Sequence, residues 1–193
     1  MQVTALNDQQ LIACYLEGNE RAFEELLGRH QQKIYTSIYL FVKDQSLAED
    51  IFQEVFIKII DTLRKGKYNH EGKFLQWAMR IAYNMCVDHF RRNKRRPQLS
   101  PTETFDIFDV LKSNDLNAEQ DIIRSQTHQK VRTLVDMLPP EQREVVILRH
   151  YADMSFKEIA KLTRVSINTA LGRMRYALIN IRKMVEEKDI VLQ

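Results

Sequence analysis

MSFKEIAKLTRVSINTALGRMRY, the run from Met154 to Tyr176, reads as two short helices set back to back. Ser155-Phe-Lys-Glu158 is a capping box, in which the serine oxygen accepts a backbone N–H while the glutamate reaches back to the cap. Ser166 is a good N-cap for a second helix, and the turn between them is too short for anything but a tight corner. At ~100° per residue, Ala170, Met174, Ala177, Leu178, Ile181 and Val185 gather on one side of that second helix, which continues to about Glu187. The other side shows Thr169, Gly172, Arg173, Tyr176 and Lys183, with Asn168 and Arg175 at its margins. A glycine in mid-helix costs roughly 1 kcal/mol relative to alanine, which makes sense where a large body such as a sugar–phosphate backbone must come close. Arg173 and Arg175 suit phosphates or guanine edges. Such a unit can lay its second helix in the major groove of DNA. The plainer alternative is an ordinary solvated helix in a bundle.

A chain of 193 residues can bury one moderate core or two small ones. Glycine and proline are scarce and helix formers abundant, so the chain reads as nearly all α. The formal charge of +3 is slight but unevenly spread: the run from His89 to Arg96 is strongly basic. From Glu103 to Asp121 the chain is acidic, with Lys112 as its one cation. Such blocks bear on partners more than on fold. Cys14 and Cys86 stand alone, without the paired spacing of a zinc or redox motif, and the histidines are scattered. No metal site or cofactor is therefore expected. No apolar run approaches the ~20 residues of a membrane span, and the N-terminus lacks the regions of a signal peptide, so a cytoplasmic protein, not embedded in a membrane, is expected.

Helical periodicity begins at Leu11 in a short helix closing near Gly18, and a longer helix follows through Ala22, Leu26, Ile34 and Ile38. Ser46-Leu-Ala-Glu49 reads as a capping box that starts a helix running to about Leu63. A polar loop with two glycines follows, and then a helix from about Phe74 to Asn93, which Pro97 ends. Pro97 to Leu116 reads as an acidic linker. A helix restarts at Asn117 and carries Ile123, Val131, Leu134, Val135 and Leu138; Pro139-Pro140 breaks it, and Glu141 to Tyr151 makes another. The expected organisation is thus two helical domains, residues 1–96 and 117–193, joined by the tether 97–116.

Two helices of the first domain carry more than packing needs. In the one from Phe74 to Asn93, Phe74, Ala78, Ile81 and Met85 read as the core face. Trp77, Arg80, Asn84, Asp88 and Arg91 form a separate stripe about a quarter turn wide, and Arg92 extends it into the basic run. An aromatic ring, an amide and arginines in line suit single-stranded nucleic acid: the ring stacks on a base, the amide reads an edge and the cations hold phosphates. Taken alone, Trp77 is more often partly buried core. The helix from Leu47 to Leu63 has only a narrow polar stripe, Asp50, Glu54, Lys58 and Asp61, while Phe52, Val55, Phe56, Ile57, Ile59 and Ile60 cover most of the rest, with Gln53 among them. A surface helix normally shows a broad polar face. This one is either central to its bundle or completed by a partner protein.

Nothing resembles a catalytic constellation or a small-molecule substrate site. On residues alone, a duplex-binding regulator and a helical adaptor that binds only protein also stay open. The regulator leaves the first domain unexplained, and the adaptor leaves the two cationic helices unexplained.

Taken in order, these features resemble a bacterial RNA polymerase sigma factor of the small, extracytoplasmic-function type, which keeps only the domains called region 2 and region 4. The residues that carry the resemblance are Ala48 to Phe56, Phe74 to Asn84 with Asp88, Arg91 and Arg92, Leu138 to Arg143, Phe156 to Ala160, and Ser166 to Ala177. The resemblance implies a transcription initiation factor, not an enzyme. It implies that Asp50, Gln53, Glu54 and Phe56 dock on the clamp helices of the polymerase β′ subunit, and that the β flap is a second contact. It implies that Trp77, Arg80, Asn84, Asp88, Arg91 and Arg92 engage the −10 element, Asn84 near a base flipped from the stack. Asn168, Thr169, Gly172, Arg173 and Arg175 would read the −35 element, and an anti-sigma factor is an expected partner. The chain departs from the family at Leu171, where many members carry a cation, and at Arg164, where many make the turn with glycine. The first removes the family's cationic contact at that position, and the two together imply an unusual −35 preference.

Overall fold

The computed structural model describes residues 3–69, 72–93 and 130–187, and every regular element among them is helical. The chain divides into two compact units. Among the described residues, 3–69 and 72–93 with Leu148–Met154 fall in the first, and 130–147 with 155–187 in the second. The expected linker from Pro97 to Leu116 and the helix start at Asn117 lie outside the described residues.

The first unit opens with a single 3-10 turn, Val3–Ala5. Four α-helices follow: α1 (Asp8–Leu16), α2 (Glu20–Val42), α3 (Gln45–Arg64) and α4 (Phe74–Asn93). Asn7 and Gln10 form a capping box that starts α1 three residues before its first apolar position. Helix α2 packs on α1, α3 and α4 and contributes Ala22, Leu26, Ile34, Ile38 and Leu40 to the core. Arg29 on α2 ties down the N-terminal segment, donating to the carbonyls of Leu6 (2.7 Å) and Thr4 (2.9 Å), beside a His30–Asp8 contact of 2.8 Å.

Helix α3 begins earlier than expected. Lys43 closes α2 in the left-handed conformation (φ 56°), and Asp44 is the cap of α3, its carboxylate accepting from Leu47 N–H at 2.9 Å. Ser46 is therefore inside the helix and makes no box with Glu49, which bonds Gln45 instead. The physical reason is the turn: once Lys43 has reversed the chain, Asp44 is the first extended residue whose side chain can reach a free N–H.

The core face of α4 also lies about a quarter turn from where periodicity puts it. Phe74 and Ala78 are buried as expected, but Leu75, Met79, Ala82, Tyr83 and Cys86 complete the face, and Ile81 and Met85 sit half-buried at its edge. Burial pushes the Cys86 thiol up to about 12, so it stays protonated and packs as a small apolar group.

The second unit contains α5 (helical over 130–136), α6 (Pro140–His150) as far as Ile147, α7 (Phe156–Thr163) and α8 (Ile167–Glu187). Pro139 breaks α5 from α6, while Pro140 occupies the first helical position of α6, where a missing N–H costs nothing. Val135, Leu138, Val146 and Ala177 form a buried cluster, against which Met174, Ile181 and Met184 pack. Leu178 does not join it. It is 47% exposed, and Val185 is only half-buried, so the buried stripe of α8 is centred further round the helix, on Ala170, Ala177 and Met184.

Ser155 and Glu158 make the expected capping box of α7, with Ser155 N–H donating to Glu158 Oε2 at 2.8 Å and Glu158 N–H to Ser155 Oγ at 3.3 Å. Ser166 caps α8 through Thr169 N–H at 3.0 Å. Between them Arg164 takes the left-handed conformation (φ 59°) and its N–H bonds Ala160 O. A side chain in that region costs about 1 kcal/mol or more that glycine avoids. Arg164→Gly is therefore expected to stabilise the second unit by about 0.5–1 kcal/mol, read as a higher denaturant midpoint at unchanged slope. A lower midpoint would mean that the arginine side chain supports the turn.

Candidate functional site

Three exposed helix faces carry the residues singled out by sequence. On α3, Ala48, Ile51, Val55, Ile59 and Leu63 are buried at the i, i+3, i+4 spacing of a core stripe. Phe52 and Phe56 are half-buried and packed ring on ring, 4.7 Å between centroids, with Tyr35 edge-on to Phe52 at 5.5 Å. Most of the apolar excess of this helix is thus absorbed within its own unit. Asp50, Gln53 and Glu54 face solvent, whereas Phe56 lies on the flank. Sequence reasoning missed Ile57 as a member of this face. It is 63% exposed, and at ~100° per residue it stands amid Asp50, Gln53, Glu54 and Asp61. A wet isoleucine ringed by carboxylates has no packing role in this unit. The helical wheel held the signal, since Ile57 falls inside the one stripe that is otherwise polar.

On α4 the stripe of Trp77, Arg80, Asn84, Asp88 and Arg91 lies about 180° from the centre of the buried face. Arg80, Asn84, Asp88, Arg91 and Arg92 are exposed. Arg91 and Asp88 approach to 3.5 Å, an open contact that contributes little to stability. Trp77 is half-buried: its ring meets Phe74 at 5.8 Å and Tyr68 at 4.5 Å. Tyr68 belongs to the loop before α4, and no periodicity could have marked it. It makes the tryptophan one wall of an aromatic cluster rather than an isolated platform, with the exposed cations Lys65, Lys67 and Lys73 on the same loop.

On α8, Asn168, Thr169 and Arg175 are exposed. Thr169 Oγ1 shares a 2.8 Å hydrogen bond with Ser166 Oγ, so its hydroxyl is committed to the cap. A Cβ built on Gly172 would meet nothing within 4 Å. Packing among the described residues does not require glycine there. Arg173 departs from the expected outward display. It is half-buried, with its guanidinium 3.5 Å from Glu144 of α6; alongside, Asn180 donates to Gln142 at 2.8 Å. From Ile167 to Val185 α8 has no acidic residue, and Arg175, Arg182 and Lys183 are exposed along it. Within each helix most of the predicted residues share an exposed face; Phe56, Trp77 and Arg173 are half-buried at its edge.

Among the described residues no cluster of three or more histidine, cysteine or carboxylate side chains could hold a metal. No helix among them is long and apolar enough to cross a membrane.

Comparison with known proteins follows the same division. Residues 26–96 match the model for Sigma-70 region 2, and residues 128–175 match that for Sigma-70 region 4. The chain is 30% identical over 177 residues to the RNA polymerase sigma-H factor of Pseudomonas aeruginosa, covering 89% of this chain and 90% of that one. It is 27% identical over 188 residues to the ECF RNA polymerase sigma-E factor of Escherichia coli K12, covering 95% and 94%. Among solved structures, CnrH in complex with the cytosolic domain of CnrY aligns with a TM-score of 0.60 at 22% identity, covering 93% of this chain and 97% of that one. The sigma factor RpoE in complex with the anti-sigma factor NepR from Bartonella quintana aligns with a TM-score of 0.64 at 17% identity, covering 85% and 96%. At these identities the two structures speak for the fold.

Proposed function

The chain belongs to the sigma-70 family of RNA polymerase sigma factors, in its extracytoplasmic-function branch, and we propose that three helix faces divide its work. The protein is a transcription initiation factor that binds core RNA polymerase and recognises promoters. It performs no chemistry of its own; it supplies binding free energy that positions the polymerase and stabilises opened DNA. In this reading residues 1–96 form region 2, 97–116 an acidic linker and 117–193 region 4.

Asp50, Gln53, Glu54 and Phe56, with Ile57 at their centre, meet the clamp helices of the β′ subunit; region 4 meets the β flap. Trp77 with Tyr68 stacks on unpaired bases of the −10 element, Asn84 reads a base edge, and Arg80, Arg91 and Arg92 hold phosphates. Asp88 keeps Arg91 in line. Asn168, Gly172 and Arg175 approach the −35 element in the major groove. Thr169 supports the reading end through its bond to Ser166, and Arg173 acts from the flank. A cytoplasmic location fits a partner of polymerase. An anti-sigma factor is the inferred regulator, as in the solved relative held by NepR.

The observation that carries this reading is Ile57, exposed within a carboxylate-rich face of α3 on the side away from its buried stripe. Such a face fits a protein partner better than water. Purified core polymerase should retain the full chain in a pull-down and, with it, give run-off transcripts from a randomised promoter library. Failure to bind core would end the proposal, and a footprint from the free protein would favour a conventional regulator. Arg175→Ala should lower −35-dependent initiation about five- to tenfold and reduce the salt slope by about one counterion, while core binding is unchanged. Equal loss of both activities would make Arg175 structural.

A further inference from the structure

Leu171 stands on the reading half of α8, yet it is 44% exposed, as is its i−4 neighbour Ile167 at 45%. We propose that Leu171, supported by Ile167, reads the 5-methyl group of thymine, so that the −35 element of this factor carries a thymine selected by its methyl. The inference rests on the assignment of α8 to the −35 element.

Three observations lead there. First, position: at ~100° per residue Leu171 lies between Ile167 on one side and Asn168 and Arg175 on the other. A long helical side chain leans toward the N-terminus of its helix, which puts the leucine over the turn that enters the groove first. Second, surroundings: Gly172 next to it offers no side chain and nothing within 4 Å of a Cβ. Arg175, one turn on, is exposed and suited to phosphate, so DNA can approach closely enough for methyl contact. Third, chemistry: leucine offers no hydrogen bond, so it cannot satisfy the exocyclic amine of cytosine or adenine in the major groove. What it can do there is bury an apolar group, and the thymine methyl is the apolar group that the groove presents. Losing one such methyl contact corresponds to about three- to tenfold in affinity.

The same flank of α8 carries Leu178, 47% exposed but two turns further along, about 10 Å past Leu171 at 1.5 Å per residue. If the stripe were a protein-docking surface, Leu178 would share it. If only its leading end reads DNA, Leu178 is neutral.

The test uses holoenzyme assembled from core polymerase and the full chain. Promoters selected from a pool randomised through the −35 element should be enriched in thymine at one or two positions. Replacing those thymines by deoxyuridine, which keeps the hydrogen-bonding edge and removes only the methyl, should weaken binding three- to tenfold. Leu171→Ala should bring the thymine-to-uracil ratio close to one, while Leu178→Ala leaves it at the wild-type value. A wild-type ratio of one, on promoters that still fail when the −35 element is scrambled, overturns the inference and spares the −35 assignment. Indifference to scrambling overturns both. A Leu171→Ala protein that loses affinity for core in the absence of DNA, with its thymine preference intact, makes the stripe a protein contact and also overturns the inference.

Discussion

Alanine at both Asp50 and Glu54 is expected to lower affinity for core polymerase about a hundredfold or more, with both units still folded. The two carboxylates are exposed and sit one turn apart on α3, so they present a paired negative charge beside Ile57. Truncating charges that a partner meets in a desolvated contact costs on the order of 2–5 kcal/mol, because the partner's cations are left unpaired. Neither residue caps the helix, since Asp44 does that through Leu47 N–H, and neither touches the core. Circular dichroism and the denaturant midpoint should therefore stay within about 0.5 kcal/mol of wild type. Ile57→Ala should add to the loss through its apolar area, and lowering the salt should strengthen core binding by wild type more than by the double variant. Undiminished affinity in equilibrium titrations with core would move the docking site off this face.

The second large effect is expected at Asn84. Asn84→Ala should lower the yield of open complex roughly ten- to a hundredfold, without changing affinity for core or for the −35 duplex. An amide that pairs with a base edge leaves that edge unsatisfied when it is removed, a loss of about 1–3 kcal/mol. The position is clean for this purpose: Asn84 is exposed and lies about opposite the buried face of α4, so the fold does not depend on it. Trp77 is a poorer probe, because its ring is packed between Phe74 and Tyr68 and truncation would also loosen the unit. Permanganate oxidation of unpaired thymines reports opening directly. Normal reactivity in the Asn84→Ala holoenzyme would remove the amide from base reading, whatever happens to transcript levels.

What could be read without coordinates was whatever contacts within four residues decide. The box between Ser155 and Glu158 and the Ser166 cap need only neighbours along the chain, and they stand where their residue types put them. The same locality misled at Ser46, where two acceptors lie close together and the left-handed Lys43 chose Asp44. In α4 apolar residues cover so much of the wheel that periodicity allowed more than one core face, and packing against α2 and α3 settled on Leu75, Met79 and Cys86. Tyr68 belongs to a loop, where no repeat marks which side chain turns inward.

By itself the sequence determined the helical class, the positions of most helix ends and most of the polar residues on the outer stripes, because propensity, capping and a 3.6-residue period are local properties. Tertiary structure decided which apolar side chains stay wet. Phe52 and Phe56 close on each other while Ile57 remains in water; Leu178 is left outside the cluster that takes Met174 and Ile181; and Arg173 turns to a glutamate 29 residues away. Those outcomes depend on the space that one helix leaves for another, which no single helix encodes.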